Sequence, residues 1–205
     1  MLSAKDALEQ LQEGNRRFRD GEQNREALSD QARRQATAKS QEPFAIILGC
    51  SDSRVPAELV FDQGVGDLFV IRVAGNVVAP SQIGSVEFAA AQFGTPLVVV
   101  LGHSHCGAVS ATLNELQQPT DLRSRNLQSI VNRIRPAVQG LLETDLRHNP
   151  EALISEAVKA NVRASVNQLC NGSEILEELI QANRLAVVGA EYSLATGEVV
   201  FFDQI

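Results

Sequence analysis

Three compact apolar runs punctuate the chain: Phe44 to Leu48, Leu68 to Val73 and Leu97 to Leu101. The first and third are bounded by Pro and Gly and are too short for ordinary helices. Runs of this kind read as strands buried on both faces of a parallel sheet. Leu185 to Val188 reads as a fourth parallel strand, and Thr196-Gly197 then turns the chain into Val199 to Phe202, an antiparallel edge strand. Between the strands the period changes. Gly84 to Phe93 carries Ala89-Ala90-Ala91 and favours a helix. Residues 124 to 183 read as a long helical region, in which Ile154, Val158, Val162, Val166 and Leu169 form an apolar stripe. Gly172 ends that helix, and Ser173 caps the next.

The first 40 residues follow the helical period too. Ser3 and Asp6 make a capping signal, Leu8, Leu11 and Phe18 recur at helical spacing, and Gly21 ends a helix over residues 3 to 19. A second helix is expected over residues 29 to 38, with Ser29 at its start and Arg33 and Arg34 on a polar face. Neither helix belongs to a βαβ unit, so this segment is expected to be an N-terminal arm (residues 1–40) that packs on a second subunit. The prediction is an α/β fold forming one domain over residues 1–205. It has a mainly parallel four-stranded sheet with an added antiparallel edge strand, flanking helices and the arm.

Composition narrows the function classes. The chain has 205 residues, enough for a sizeable core, and 44% of them are apolar, which argues against disorder. The formal charge of −7 argues against a nucleic-acid partner. No run of apolar residues is long enough to span a membrane, and Met1 to Asp6 does not open a signal peptide. Three cysteines at wide spacing fit free or metal-bound thiols in a reducing, cytoplasmic setting better than a disulfide framework.

The candidate chemistry follows two of the predicted strands. Cys50-Ser51-Asp52-Ser53-Arg54 comes after the first, and His103-Ser104-His105-Cys106-Gly107 after the third. The carboxyl edge of an open parallel sheet is where ligands bind. Two thiols and an imidazole converging there make a Cys2His set that suits zinc and leaves a fourth, catalytic position open. Asp52 is placed to orient a nucleophile at that position, and Arg54 to hold Asp52 ionised. Other readings are weaker. Gly64-Val65-Gly66 lacks the third glycine of a dinucleotide fingerprint, and there is no Walker lysine. A Cys50–His103 nucleophilic pair leaves Cys106 and Asp52 without roles. Cys170 reads as a packed residue on the apolar stripe, and His148 as a surface loop residue.

Cys50-x-Asp52-x-Arg54 followed by His103-x-x-Cys106 resembles the signature of the β-class carbonic anhydrases, and the likeness runs most closely from Gln41 to Cys106. The resemblance implies a zinc lyase that interconverts carbon dioxide and bicarbonate by attack of zinc-bound hydroxide, oriented by an Asp52–Arg54 dyad. Cys50, His103 and Cys106 would be the zinc ligands, and Asp52 a fourth ligand in a closed state. It also implies substrate-cleft roles for Gln41, Phe69, Ala74 and Gly107, matches Arg72 and Asn76 to a family stretch, and implies a homo-oligomer, dimer or tetramer, with Gln41 serving the neighbour's cleft. Ala108 and Ala74 depart from a common Gly and Val. Ile47 replaces the Trp of members that bicarbonate inhibits at a separate site, and His105 stands as a candidate proton shuttle. The competing functions are a carbon disulfide or carbonyl sulfide hydrolase on the same scaffold, an inactive zinc-stabilised binding module and a thiol-dependent hydrolase.

Overall fold

The computed structural model describes residues 2–23, 31–119 and 124–202. Its centre is a five-stranded sheet: β1 (Ala45–Gly49), β2 (Leu68–Arg72), β3 (Leu97–His103), β4 (Ala186–Tyr192) and β5 (Val199–Phe201), in the order β2-β1-β3-β4-β5. The first four strands pair in parallel, and β5 runs antiparallel to β4. Every residue of β1 and β3 is buried, as apolar runs without alternation require. The strand order reverses between β1 and β3, so the crevice expected in a doubly wound sheet lies at their carboxyl ends.

Helices cover both faces. Ala45 and Ile47 of β1 pack with α1 (Ala4–Asp20) and the short α3 (Ala57–Val60), α2 being Gln31–Thr37. Ile46 and Leu48 face α4 (Pro80–Phe93), α7 (Pro150–Asn171) and α8 (Glu174–Gln181). A third apolar cluster closes the carboxyl end, built from α5 (Gly107–Gln117), α6 (Arg125–Val138) and the start of α7. The predicted helical region 124–183 is therefore three helices, with short 3-10 turns at Gln139–Glu143 and Asp145–His148 between α6 and α7. Ser173 caps α8 as expected, its hydroxyl accepting from the Leu176 N–H.

Helix α1 corrects the expectation of an arm lying on a partner. Ser3 and Asp6 form the capping box and Gly21 ends the helix at φ 74°, as its sequence implies. But Ala7, Leu8 and Leu11 are buried in this chain's own core. Asn15 Nδ2 donates to the carbonyls of Val60 (3.0 Å) and Gly197 (2.9 Å), and its Oδ1 accepts from Val199 N–H (2.9 Å). Arg17 pairs with buried Asp62 at 2.5 Å. The contact is close because residue 14 is glycine: a Cβ there would lie 1.8 Å from the Phe61 carbonyl oxygen. Gly14→Ala is therefore expected to lower stability by about 1–3 kcal/mol through overpacking, read as a lower urea midpoint. In α2, Arg33 pairs with Asp67 and donates to Val65 O; the proposed start at Ser29 lies outside the described residues.

Candidate metal centre

Cys50 is the first residue beyond β1, where the chain leaves the buried sheet at Gly49. His103 is the last residue of β3, two residues further than the apolar run suggested, because Gly102 and His103 continue the ladder opposite Glu191 and Tyr192 of β4. Three residues on, Cys106 is the N-cap of α5. The ligand atoms of Cys50, His103 and Cys106 all lie within 4.8 Å of one another, and all three residues are buried. Among the described residues, these are the Cys, His, Asp and Glu side chains grouped closely enough to hold a metal.

Their hydrogen bonding favours an ion. His103 Nδ1 lies 2.9 Å from the Ser104 carbonyl, which can accept only its N–H. That fixes the tautomer and leaves a lone pair on Nε2, a buried atom with no hydrogen-bond partner. The two thiols are buried side by side, and their pKa values are driven apart: the neighbouring Cys106 thiol, with help from the Gly75 N–H, lowers that of Cys50 against burial, while Cys50 and burial raise that of Cys106. Burial presses His103 towards neutrality, but the nearby Cys50 sulfur outweighs it and raises its pKa. Two sulfurs and one neutral nitrogen fit a tetrahedral ion with bonds of about 2.0–2.3 Å.

Beside the cluster stands the carboxylate. Asp52 accepts from Arg54 through Nε at 2.9 Å, Nη2 at 2.8 Å and the backbone N–H at 3.0 Å. The guanidinium hydrogen bonds hold this carboxyl well below the usual carboxylate range. Its Oδ2 is 3.8 Å from His103 Nε2, so it borders the ligand triangle without belonging to it.

Arg72, at the end of β2, binds the backbone of this same segment. Its Nε donates to Cys50 O at 3.0 Å and its Nη2 to Asp52 O. One side chain thus fixes the peptide that carries a ligand and the one that carries the carboxylate. Arg72→Met is expected to weaken metal retention about tenfold or more, the cost typical of removing a group that orients a ligand. Competition with a chromophoric chelator measures it.

The remaining candidates are placed unevenly. Ala74 lines a cavity of about 760 Å³ beside the centre, with Ala108, Ala111, Ile130 and Val131. Gly107 is exposed at the start of α5, and a Cβ there would meet nothing within 4 Å. Gln41 is exposed and precedes β1, whereas Cys50 follows it, a separation of about 16 Å of strand. Phe69 is opposite Ile46, near the start of β2, and its ring lies 6.3 Å from those of Phe88 and Phe93. Phe93 also lines the hollow that contains Gln41. These two residues thus lie towards the amino end of the sheet, away from this chain's own metal ligands. His105 is exposed at φ 54°, and with Arg147 lines a smaller hollow near α7. Sequence reasoning missed the Gly75 N–H, which donates to Cys50 Sγ at 3.3 Å. The one available signal was the Gly75-Asn76 pair, a turn dipeptide.

A five-stranded sheet with a Cys2His centre at its switch point defines a metalloenzyme of the α/β class. The profile of the carbonic anhydrase family matches residues 45–199. Carbonic anhydrase 2 of Mycobacterium tuberculosis is 39% identical over 199 residues, covering 97% of this chain and 93% of that protein. The β-carbonic anhydrase of Coccomyxa, solved with acetazolamide, superposes with a TM-score of 0.75 at 26% identity, covering 93% of this chain and 83% of that one. A tetrameric β-carbonic anhydrase of Sordaria macrospora shares the fold, with a TM-score of 0.73 at 23% identity over 83% of this chain and 89% of that one. The chain belongs to the carbonic anhydrase family, in its β class.

Proposed function

We propose that this chain catalyses the reversible hydration of carbon dioxide to bicarbonate and a proton, with zinc held by Cys50, His103 and Cys106. The observation that carries the reading is the buried, partnerless Nε2 of His103 facing two thiols, with an ionised carboxylate 3.8 Å away. When bound there, zinc supplies Lewis acidity that brings the pKa of water towards neutrality. The rest is the work of the chain. The β1 and β3 ends hold the three donors, and the Ser104 carbonyl keeps His103 in the ligating tautomer. Asp52, fixed in direction by the two-pronged contact of Arg54, accepts a hydrogen bond from the attacking oxygen and orients it. Ala74 and Gly107 leave room beside it for a small linear substrate. The test is metal content per chain and hydration rate on one sample, with carbonyl sulfide assayed in parallel. One zinc per chain with carbon dioxide hydration is expected; full activity after chelation, or hydrolysis of carbonyl sulfide alone, would overturn the reading.

The active form proposed is a homo-oligomer. Strand β2 is the sheet's edge and its four apolar residues are only half-buried, while Phe88 beside it is 53% exposed. An open apolar edge of this sort calls for cover. A second copy packed there would bring its centre towards Gln41 and Phe69, which serve no site within one chain. Phe88→Lys is expected to shift sedimentation towards monomer and to lower activity. A parent protein that is already an active monomer at micromolar concentration contradicts the proposal. Ligand thiols of this kind also suit a reducing compartment such as the cytoplasm.

A further inference from the structure

Behind the ligands runs a chain of buried hydrogen bonds that starts on helix α7. Asn161 and Ser165 sit one turn apart on its inner face, 3% and 4% exposed. Asn161 Nδ2 donates to Gly75 O at 2.8 Å, and Ser165 Oγ donates to Asn76 O at 3.0 Å. Both carbonyls belong to a turn whose backbone is left-handed at two successive residues, Gly75 at φ 68° and Asn76 at φ 44°. Two such residues in succession are uncommon and persist only when their surroundings hold them. The Gly75 N–H then points at Cys50 Sγ, 3.3 Å away.

Packing fixes the helix at this distance. A Cβ on Gly102 would fall 2.5 Å from Val162 Cγ2, and one on Gly189 would fall 2.9 Å from Val162 Cγ1. Val162 fills the notch those glycines leave, so α7 lies against the backbone one residue before His103. From the other side, a Cβ on Gly75 would meet Ile134 Cδ1 at 2.8 Å and Ala108 Cβ at 3.0 Å. The turn is held between α6, the start of α5 and the two polar side chains of α7.

We infer that Asn161, assisted by Ser165, is a positioning residue for the metal centre: by holding the Gly75 carbonyl it fixes the left-handed conformation of Gly75, which aims the N–H on the other side of that residue's Cα at the Cys50 sulfur, where it draws electron density. The inference rests on the metal-site reading above. Two thiolates feed more charge to a divalent ion than neutral ligands do, which weakens it as a Lewis acid. A hydrogen bond to sulfur offsets part of that donation, the way such bonds tune other thiolate-bound metals. Asn161 touches neither substrate nor metal, and acts through the backbone of one residue, Gly75.

The test uses Asn161→Leu, which keeps the shape and removes the donor, and Ser165→Ala as the milder change. In the metal-free protein the Gly75 amide proton is followed by NMR. It should move upfield in both variants, further in Asn161→Leu, as the N–H···S bond lengthens. In the cobalt-substituted protein the thiolate-to-cobalt absorption should move to longer wavelength, because a more electron-rich sulfur gives up an electron more easily. Hydration should fall about tenfold or more with full metal content. A folded Asn161→Leu protein with an unmoved Gly75 amide and an unmoved charge-transfer band would overturn the inference. If Asn161→Leu does not fold, the same two null results in Ser165→Ala overturn it. Absence of thiolate-to-cobalt absorption in the parent protein is a separate outcome: it refutes the metal-site reading, while the Gly75 amide still reports on the hydrogen-bond chain.

Discussion

Cys106→Ser is expected to strip the protein of nearly all its metal and nearly all its activity while leaving the fold in place. Serine is close to the shape of cysteine, so the site keeps its packing in the cluster formed with Val109, Leu113 and Ile134. What it loses is a thiolate, the form in which cysteine binds metal. Cys50 and His103 alone make a two-coordinate site, and a structural or catalytic zinc needs at least three protein ligands. Asp52 is the one further donor at hand, 3.8 Å from His103 Nε2, but Arg54 holds both its oxygens. Elemental analysis of protein purified without added zinc should give a metal content near zero, with a lower melting temperature because no bound ion stabilises the native state. Metal retained at one ion per chain would show that the three residues are not the ligand set.

How much of this centre the sequence revealed depends on which atoms carry each contact. Cys50, His103 and Cys106 were legible because their side chains are rare and each follows a buried strand whose apolar run is unmistakable. Asp52 and Arg54 were legible because a carboxylate and a guanidinium two residues apart after a strand can hardly avoid one another. The Gly75 N–H was not, since the Gly75-Asn76 pair announces a turn but not where its backbone donor points. Nor were Asn161 and Ser165, which lie on the inner face of a helix where the stripe of Val158, Val162 and Val166 dominates the reading. The end of β3 was misjudged for a related reason: Gly102 reads as a breaker, yet its missing side chain is what lets Val162 approach and the ladder continue to His103.

The N-terminal helix shows a different kind of limit. Its apolar positions announce that something covers them, but an amphipathic stripe does not say whether the cover is its own chain or another. What decides is Gly14, whose bare Cα lets α1 rest on the Phe61 carbonyl, and Asn15, which satisfies three backbone groups from α3, the last turn and β5. Gln41 and Phe69 are the reverse case. Their spacing from Cys50 matched the family, while the strand geometry carries them to the opposite end of the sheet. The proposed second copy would reconcile the two by completing the cleft.

Arg54→Ala is expected to keep its zinc and lose activity by about 10²-fold or more, the scale of a misoriented nucleophile or a lost hydrogen bond. Stability should barely change. The Arg54 side chain is 57% exposed, and ion pairs this open to water contribute little to stability. A large fall in rate with an unmoved unfolding midpoint would therefore separate a catalytic dyad from a surface ion pair. Arg54→Lys should restore little, because an ammonium cannot grip both carboxylate oxygens as the guanidinium does through Nε and Nη2. Once released, Asp52 has a short way to go: its Oδ2 already borders the ligand triangle, and an ionised carboxylate is a good fourth ligand. It would then occupy the position that water needs. Raising the pH supplies more hydroxide to compete with it, so the deficit of Arg54→Ala should be deepest on the acid side and shrink towards the alkaline side. Asp52 itself does not produce this trend. In the parent protein Arg54 keeps it ionised far below the working range, and without Arg54 its pKa rises only towards that of an ordinary carboxyl. Hydration rates and zinc content measured from about pH 6.5 to 9, bracketing the roughly neutral pKa of water on zinc, decide the matter. Asp52→Asn, which cannot close the site as a carboxylate would, should also keep zinc and lose rate, but by a factor that does not shrink with rising pH. Parent-like turnover in Arg54→Ala at every pH would reduce the dyad to a structural contact.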